Sequence, residues 1–329
     1  MINAAIVGLG KWGQNLVGHF HGKSDRIRVV RAVTRTQANA AAFAREHGFP
    51  VDSDYAAALA DPKVDAVILA TPHSQHADQI IAAAKAGKHV YTEKPFTLTR
   101  ASAEAAIQAC NAAKVLCAVG FNWRFQPALQ EVKRMLDDGR LGTLLHMEGN
   151  FNGPSVWRFP KEHWRPAPGE GPAGGMTGRG VHIVDAMLYL AGHVDNVYAM
   201  SKRRVLDYGL DDTTSMLFEF KGGMTGYLGT FIATAESWRL QIFGSKGSIE
   251  MGDMGHLHTW SMKRNMIDGG MDTVTFPELS TERAELEAFA DAITSGKPLP
   301  VPYDDAIHGV AVLEAVVRSA ARREKVSVA

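Results

Sequence analysis

The stretch Ile6-Val7-Gly8-Leu9-Gly10-Lys11-Trp12-Gly13-Gln14-Asn15 decides the fold. It follows an apolar run at the start of the chain and carries glycines at 8, 10 and 13, in G-x-G-x-x-G spacing, where a helical pattern begins. Each glycine has a separate job in a strand-turn-helix unit. The first permits the tight turn, the second lets backbone approach a pyrophosphate, and the third lets helix and strand pack closely, with the phosphate at the helix N-terminus. The motif alone is a weak signal. Here strand, loop, helix and second strand all fall where a Rossmann unit needs them, so a dinucleotide site is expected, with Gly8, Gly10, Lys11, Trp12 and Gly13 around the cofactor.

Outward from that loop, the runs AAIVG, RVVRAV, DAVILAT, HVYTE and VLCAVG alternate with Ala-rich helical stretches, including about Gln37 to His47 and Gln75 to Ala86. Buried strands written as continuous Val, Ile and Ala between helices are the pattern of parallel βαβ units. After Phe121 the pattern changes to a helix near Leu129 to Leu136, a strand around Leu144 to Phe151, and a Gly-, Pro- and Trp-rich stretch up to Gly180. Connections that long are commonly functional lids, and Trp157 and Trp164 suit a packed one. A helix over 181–191 precedes the alternating runs VYAMSKRRV, TTSMLFEF, MTGYLGTF, WRLQIFG and GSIEMG, and helices at Thr281 to Ser295 and Asp304 to Arg323 close the chain. The expected fold is α/β, with a Rossmann doubly wound parallel sheet over 1–121 and a C-terminal α+β domain over 122–329 built on a large, open, mainly antiparallel sheet. Two terminal helices cannot cover so many strands, so the open face is expected to join subunits into a homodimer or homotetramer.

Composition agrees with two domains: 329 residues, 46% of them hydrophobic, can bury a sizeable core. The 35 basic and 35 acidic residues cancel, leaving no bulk field to recruit nucleic acid or an anionic membrane. Cys110 and Cys117 read as reduced core thiols. With no basic leader, cleavage site or bilayer-length apolar run, a soluble cytoplasmic protein is expected.

The end of the second strand bears on which dinucleotide binds. An acidic residue there would accept from the ribose 2′-hydroxyl of NAD, whereas this chain has Thr34 and Arg35. A hydroxyl followed by a guanidinium can hold a 2′-phosphate, which favours NADP(H). Should Arg35 stack on adenine or remain solvated, NAD(H) stays possible.

The segments GLGKWG, ATPHSQHAD at 70–78, YTEKPF at 91–96, GFNWRFQPA at 120–128, GVHIVDAMLYLAG at 180–192 and FADAITSGKPLP at 289–300 together resemble the Gfo/Idh/MocA oxidoreductases, the glucose-fructose oxidoreductase and inositol dehydrogenase family. The resemblance covers nearly the whole chain. It implies hydride transfer between nicotinamide and a carbinol carbon of a sugar, polyol or related ring. Glu93, Lys94 and Pro95 match the family's EKP motif, whose lysine is taken to touch both the substrate hydroxyl and the nicotinamide region. A cation beside a reacting carbinol would stabilise the developing alkoxide and could shuttle its proton; without the family, a Lys-Pro at a strand end reads as a solvated turn. Thr71, Pro72 and His76 match a TP-x-x-x-H loop over the cofactor, and no further ligand accompanies His73 and His76, so no metal is expected. Asn122, Arg124 and Phe125 match the segment entering the second domain, with Asn122 and Arg124 as substrate contacts, or Arg124 in an interdomain salt bridge.

Relatives typically carry an aspartate four residues before the helix histidine, a spacing that sets carboxylate and imidazole on one helical face. Aligning His182 with that histidine puts Gly178 at the aspartate position. His182 can still accept a proton near neutral pH beside Lys94 in the catalytic pair, or it is a satisfied pocket histidine. Asp185, three residues on, could orient the ring or serve helix packing. Gly178 leaves room for a bulkier or charged substrate, and Arg158, Lys161, His163, Trp164, Arg165 and Arg179 supply cations and aromatics suited to a polyol ring bearing an anionic group, or they tie the lid down. Glu148, Glu162 and Glu170 have no spacing that assigns them acid or base roles. Two further functions fit the same residues: glycoside cleavage through transient oxidation of a sugar carbon, and a non-catalytic dinucleotide sensor.

Overall fold

The computed structural model describes residues 1–158, 163–167, 169–254 and 258–328. Two compact units result. One comprises Met1–Asn122 with Leu279–Ala306, the other Trp123–Glu278 with Ile307–Ala329.

The first unit is a six-stranded parallel sheet in the order β3-β2-β1-β4-β5-β6, made of β1 (Ile2–Val7), β2 (Ile27–Val33), β3 (Val51–Asp52), β4 (Ala66–Leu69), β5 (His89–Glu93) and β6 (Cys117–Gly120). Helices α1 (Lys11–Phe20), α2 (Ala41–Glu46), α3 (Tyr55–Ala60), α4 (His76–Lys85) and α5 (Arg100–Ala113) connect them. The strand order reverses between β1 and β4, and in doubly wound sheets the ligand crevice opens at the carboxyl ends of the strands at that point. β3 and α3 carried no legible signal, being a two-residue strand and a six-residue Ala-rich helix.

Helix α8 (Thr281–Ser295) belongs to this unit as well, where the sequence division at 121/122 had put it with the C-terminal domain. Its Leu286, Phe289 and Ala290 enter the core formed by Leu16, Phe20, Ile27 and Tyr91. An apolar stripe on a helix identifies that it packs but not which sheet it packs on.

The second unit holds a nine-stranded sheet, β14-β13-β12-β11-β7-β10-β9-β8-β15. Its strands are β7 (Leu144–Asn152), β8 (Val194–Lys202), β9 (Thr213–Phe220), β10 (Thr225–Phe231), β11 (Ser237–Gly244), β12 (Gly247–Asp253), β13 (Ser261–Met266), β14 (Gly270–Thr275) and β15 (Val326–Ser327). All neighbours run antiparallel except β7 and β10. Helices α6 (Pro127–Asp137) and α7 (Val181–Ala191) lie in the same unit, and α9 (Tyr303–Arg322) closes the chain. Gly149 of β7 is where α7 comes down on the sheet, since a Cβ there would sit 2.5 Å from Ile183 Cγ2. On the opposite face Met200 and Leu217 are more than half exposed. Among the described residues no helix is long and apolar enough to cross a membrane.

The turn between β8 and β9 hangs on one carboxylate. Asp212 is buried and accepts from the backbone N–H groups of Arg204, Val205 and Leu206 and from the Thr213 hydroxyl, at 2.7–3.0 Å. Burial alone would raise its carboxyl, but these donors overcome it and the net shift is downward from 3.8. A carboxyl that titrates lower in the folded state stabilises fully above the unfolded value, and the contribution disappears as pH falls through the folded one. Replacing Asp212 with alanine should therefore cost roughly 1–3 kcal/mol at neutral pH, by stranding the backbone donors of the turn, of which Leu206 is buried. Urea unfolding at pH 7 and at pH 3 measures this: the gap between wild type and variant must shrink at the lower pH, and a pH-independent gap would refute the carboxylate's role.

Candidate active site

The nucleotide loop has the geometry its glycines require. Gly8 adopts φ +94°, and a Cβ on it would meet Ala70 O at 2.5 Å. A Cβ on Gly13 would collide with the carbonyl of Gly8, so the start of α1 closes directly onto the turn. Gly10 differs: among the described residues no atom lies within 4 Å of its Cβ position. As the extended N-cap of α1 it brings no side chain to satisfy the first N–H groups. An open backbone position before uncapped amides is what a pyrophosphate needs, so the residues fit a dinucleotide. Lys11 is exposed beside it and Trp12 half-buried.

At the end of β2, Thr34 is half-buried, with its N–H on Asp52 O, and Arg35 is exposed. The nearby carboxylate Asp52 is already paired with Arg31 at 2.7 Å.

Glu93 is the last residue of β5 and is buried, with Lys94 half-exposed next to it and a cis bond between Lys94 and Pro95. Burial raises the Glu93 carboxyl and Glu282 adds to the rise, while the Lys94 ammonium and the Trp12 indole favour the charged form. Alongside, Tyr91 donates its hydroxyl to Glu285 at 2.5 Å, and burial with that carboxylate pushes the phenol well above its ordinary value. Gly120 is required here, because a Cβ would lie 2.5 Å from the Tyr91 hydroxyl.

Three expected contacts take different roles. The ring of His76 is wholly buried, with Nδ1 2.9 Å from Pro95 O and Nε2 3.2 Å from Thr71 O. It ties the Thr71-Pro72 turn to the segment carrying Lys94 through backbone carbonyls. Asn122 is buried and donates to Thr281 Oγ1 and Glu282 Oε1 at the start of α8. Arg124 and Asp185 are bound to one another in a buried two-pronged pair at 2.7–3.0 Å, with the guanidinium 5.2 Å from the Tyr189 ring centre. That ion pair lies within the second unit. The helix pattern placed Asp185 correctly; only packing revealed its partner.

His182 is buried in the first turn of α7, directly after a π-helical turn at Met176–Gly180. Such turns frequently mark functional positions. Gly178 is exposed, and among the described residues no atom lies within 4 Å of its Cβ position. The next residue, Arg179, is spoken for: Nη1 donates to Asn152 O at 2.7 Å and to Glu236 at 2.6 Å, and the guanidinium lies 4.7 Å from the Phe151 ring centre. It braces the site instead of reaching for an anion. In the lid Arg165 stacks 4.6 Å over Trp164, both half-buried; Lys161, Glu162 and the Arg158 side chain lie outside the described residues.

One contributor had no sequence signal. Trp123, buried between Asn122 and Arg124, stacks on the His182 ring with centres 5.2 Å apart and planes 23° from parallel. Its spacing relates it to no helix face or strand, so nothing in the sequence joined it to residue 182.

An N-terminal nucleotide cradle and a second sheet unit are the architecture of a two-domain dinucleotide-dependent oxidoreductase. Residues 2–121 match the model of the oxidoreductase family with NAD-binding Rossmann fold, and residues 129–250 match the GFO/IDH/MocA C-terminal domain; the chain belongs to the Gfo/Idh/MocA oxidoreductases. Curated relatives include scyllo-inositol 2-dehydrogenase (NAD(+)) of Bacillus subtilis, 29% identical over 93% of this chain and 91% of that one. Another is D-xylose 1-dehydrogenase (NADP(+)) 2 of Haloferax volcanii, 28% identical over 87% and 88%. Among solved structures, the aldose-aldose oxidoreductase of Caulobacter crescentus complexed with glycerol has the same fold, with a TM-score of 0.90 at 24% identity over 99% of both chains.

Proposed function

We propose that the protein transfers hydride between NADP(H) and a carbinol or carbonyl carbon of a sugar, cyclitol or sugar derivative. The observation that carries this is the half-exposed Lys94 at the carboxyl end of β5, in the unit whose uncapped α1 follows the glycine turn, the position at which doubly wound sheets hold their ligands. Gly8, Gly10, Lys11, Trp12, Gly13, Thr71 and Pro72 hold the dinucleotide, and Thr34 and Arg35 hold a 2′-phosphate, with Asp52 neutralised by Arg31. When bound, the nicotinamide supplies the two-electron hydride acceptor or donor. The chain's part is the proton: Lys94 stabilises negative charge growing on the substrate oxygen, and His182 takes the hydroxyl proton in oxidation or returns it in reduction. That relatives act on inositol and xylose supports the ring-polyol class, and Trp164 with Arg165 suits such a ring.

A second reading, glycoside cleavage through transient oxidation at a neighbouring carbon, draws on the space at Gly178, which admits a larger aglycone than a free sugar needs. The exposed apolar face bearing Met200 and Leu217 supports self-association of the C-terminal sheet.

Reduced-nicotinamide absorbance over a panel of sugars, cyclitols, sugar acids and glycosides, with NADP and NAD in parallel, tests the assignment, with light scattering reporting the assembly. Turnover is expected with NADP ahead of NAD; Arg35→Ala should narrow that gap and His182→Gln should abolish most turnover. Glycoside consumption without net cofactor change would favour cleavage. Tight dinucleotide binding with no consumption of any compound would contradict both.

A further inference from the structure

A catalytic histidine needs its ring held, and its own helix carries no carboxylate at the spacing typical of relatives. Position 178, one helical turn before His182, is glycine, and Asp185, three residues after it, is committed to Arg124 by two-pronged bonds. We propose that Trp123 is the positioning residue for His182, and that the aromatic slab behind it orients the ring by stacking. The proposal rests on the reading of His182 as the proton-handling group.

The slab is built from directly paired strands. Phe151 of β7 and Trp238 of β11 are cross-strand partners, and both press on Trp123, with ring centres 5.1 Å and 4.5 Å away. All three rings are buried. Phe151 also reaches the His182 ring, at 6.0 Å and tilted by 51°. The Arg179 guanidinium, anchored by Glu236, lies 4.7 Å from the centre of the Phe151 ring. Trp123 therefore packs against both the sheet rings Phe151 and Trp238 and the imidazole. An imidazole has two side-chain torsions to fix. The helix backbone sets the Cα position and direction, whereas a near-parallel indole at 5.2 Å restricts the ring plane. Stacking restrains the plane through the face of the ring, so it does not compete for the ring nitrogens through which a proton moves. Proton transfer demands that alignment: small misplacements of a reacting group cost far more rate than binding.

The test compares Trp123→Leu, which keeps apolar bulk but removes the stack, with Trp123→Phe, which keeps a ring, each alone and in His182→Gln. Trp123→Leu should lower kcat roughly 10–100-fold with KM little changed, and Trp123→Phe should recover most of the loss. In His182→Gln, Trp123→Leu should cost almost nothing further, because the ring it positions is gone. NADP affinity and circular dichroism verify that the folded state survives. Independently of activity, the His182 ring protons should be shifted upfield by the indole ring current in NMR spectra, and that shift should collapse in Trp123→Leu. Wild-type kcat in Trp123→Leu, or an equal loss in the His182→Gln background, overturns the proposal, as does the absence of an upfield-shifted His182. Full activity in His182→Gln overturns it too; an upfield-shifted His182 in the wild-type spectrum would then show that the catalytic assignment of His182 failed, not the stack.

Discussion

Replacing Lys94 with alanine should lower kcat/KM roughly 10²–10⁴-fold, the usual worth of a positioned proton-transfer group, while the thermal midpoint changes little. The separation of effects follows from burial. Lys94 is only partly buried, so its removal disturbs packing less than loss of a core side chain would, but its charge is also the largest influence holding the buried Glu93 carboxyl down. Without it Glu93 is driven further toward its neutral form, and the substrate oxygen loses the charge that would stabilise alkoxide. Steady-state kinetics on the best substrate of the panel, with dinucleotide affinity measured on the same preparation, reads both quantities. Activity within a few-fold of wild type would remove Lys94 from the chemistry; a large loss of NADP affinity at unchanged kcat would reassign it to cofactor binding alone.

The second large effect is on stability. Asp185→Ala should cost roughly 3–5 kcal/mol, because it takes from the buried Arg124 guanidinium the carboxylate that two-pronged bonds hold to it, and Arg124→Ala should cost a similar amount from the other side. Both side chains are only 4% exposed, so solvent cannot take over the lost partner. The double replacement Arg124→Met with Asp185→Leu should recover most of the loss, since exchanging a buried ion pair for apolar groups of similar volume is commonly neutral or stabilising. Denaturant midpoints of the single and double variants decide the point. If Asp185→Ala costs under about 1 kcal/mol, the pair is better solvated than its burial implies; if instead Asp185→Ala folds normally but loses kcat, Asp185 has the orienting role that its spacing from His182 suggested.

What could be read ahead of the fold follows from how each signal is encoded. Glycines at 8 and 13 were legible because only a residue without Cβ tolerates φ +94° or a carbonyl against the helix start. Helix α8, expected at Thr281 to Ser295, spans those residues, helped by Ser280, whose hydroxyl accepts from Arg283 N–H as an N-cap. Strands β9 to β12 were visible as period-two alternation. The hairpin β13-β14 escaped because most of β14 is exposed, and an exposed strand has no apolar face to write into the sequence.

The candidate site divides along the same line. Lys94, His182 and the glycines stand in local patterns, each set by chemistry within a few residues. The partners that decide what other residues do come from far along the chain. Arg124 meets Asp185 across 61 residues, and Asn122 meets Thr281 across 159. Arg179 meets Glu236 across 57, and Trp123 reaches His182, Phe151 and Trp238 from another segment altogether. By itself the sequence determined the class of fold, the nucleotide turn and which residues could carry a proton. The tertiary structure alone decided which charged groups are spent on one another and which ring lies against His182, because burial and pairing are set by long-range packing that no local periodicity records.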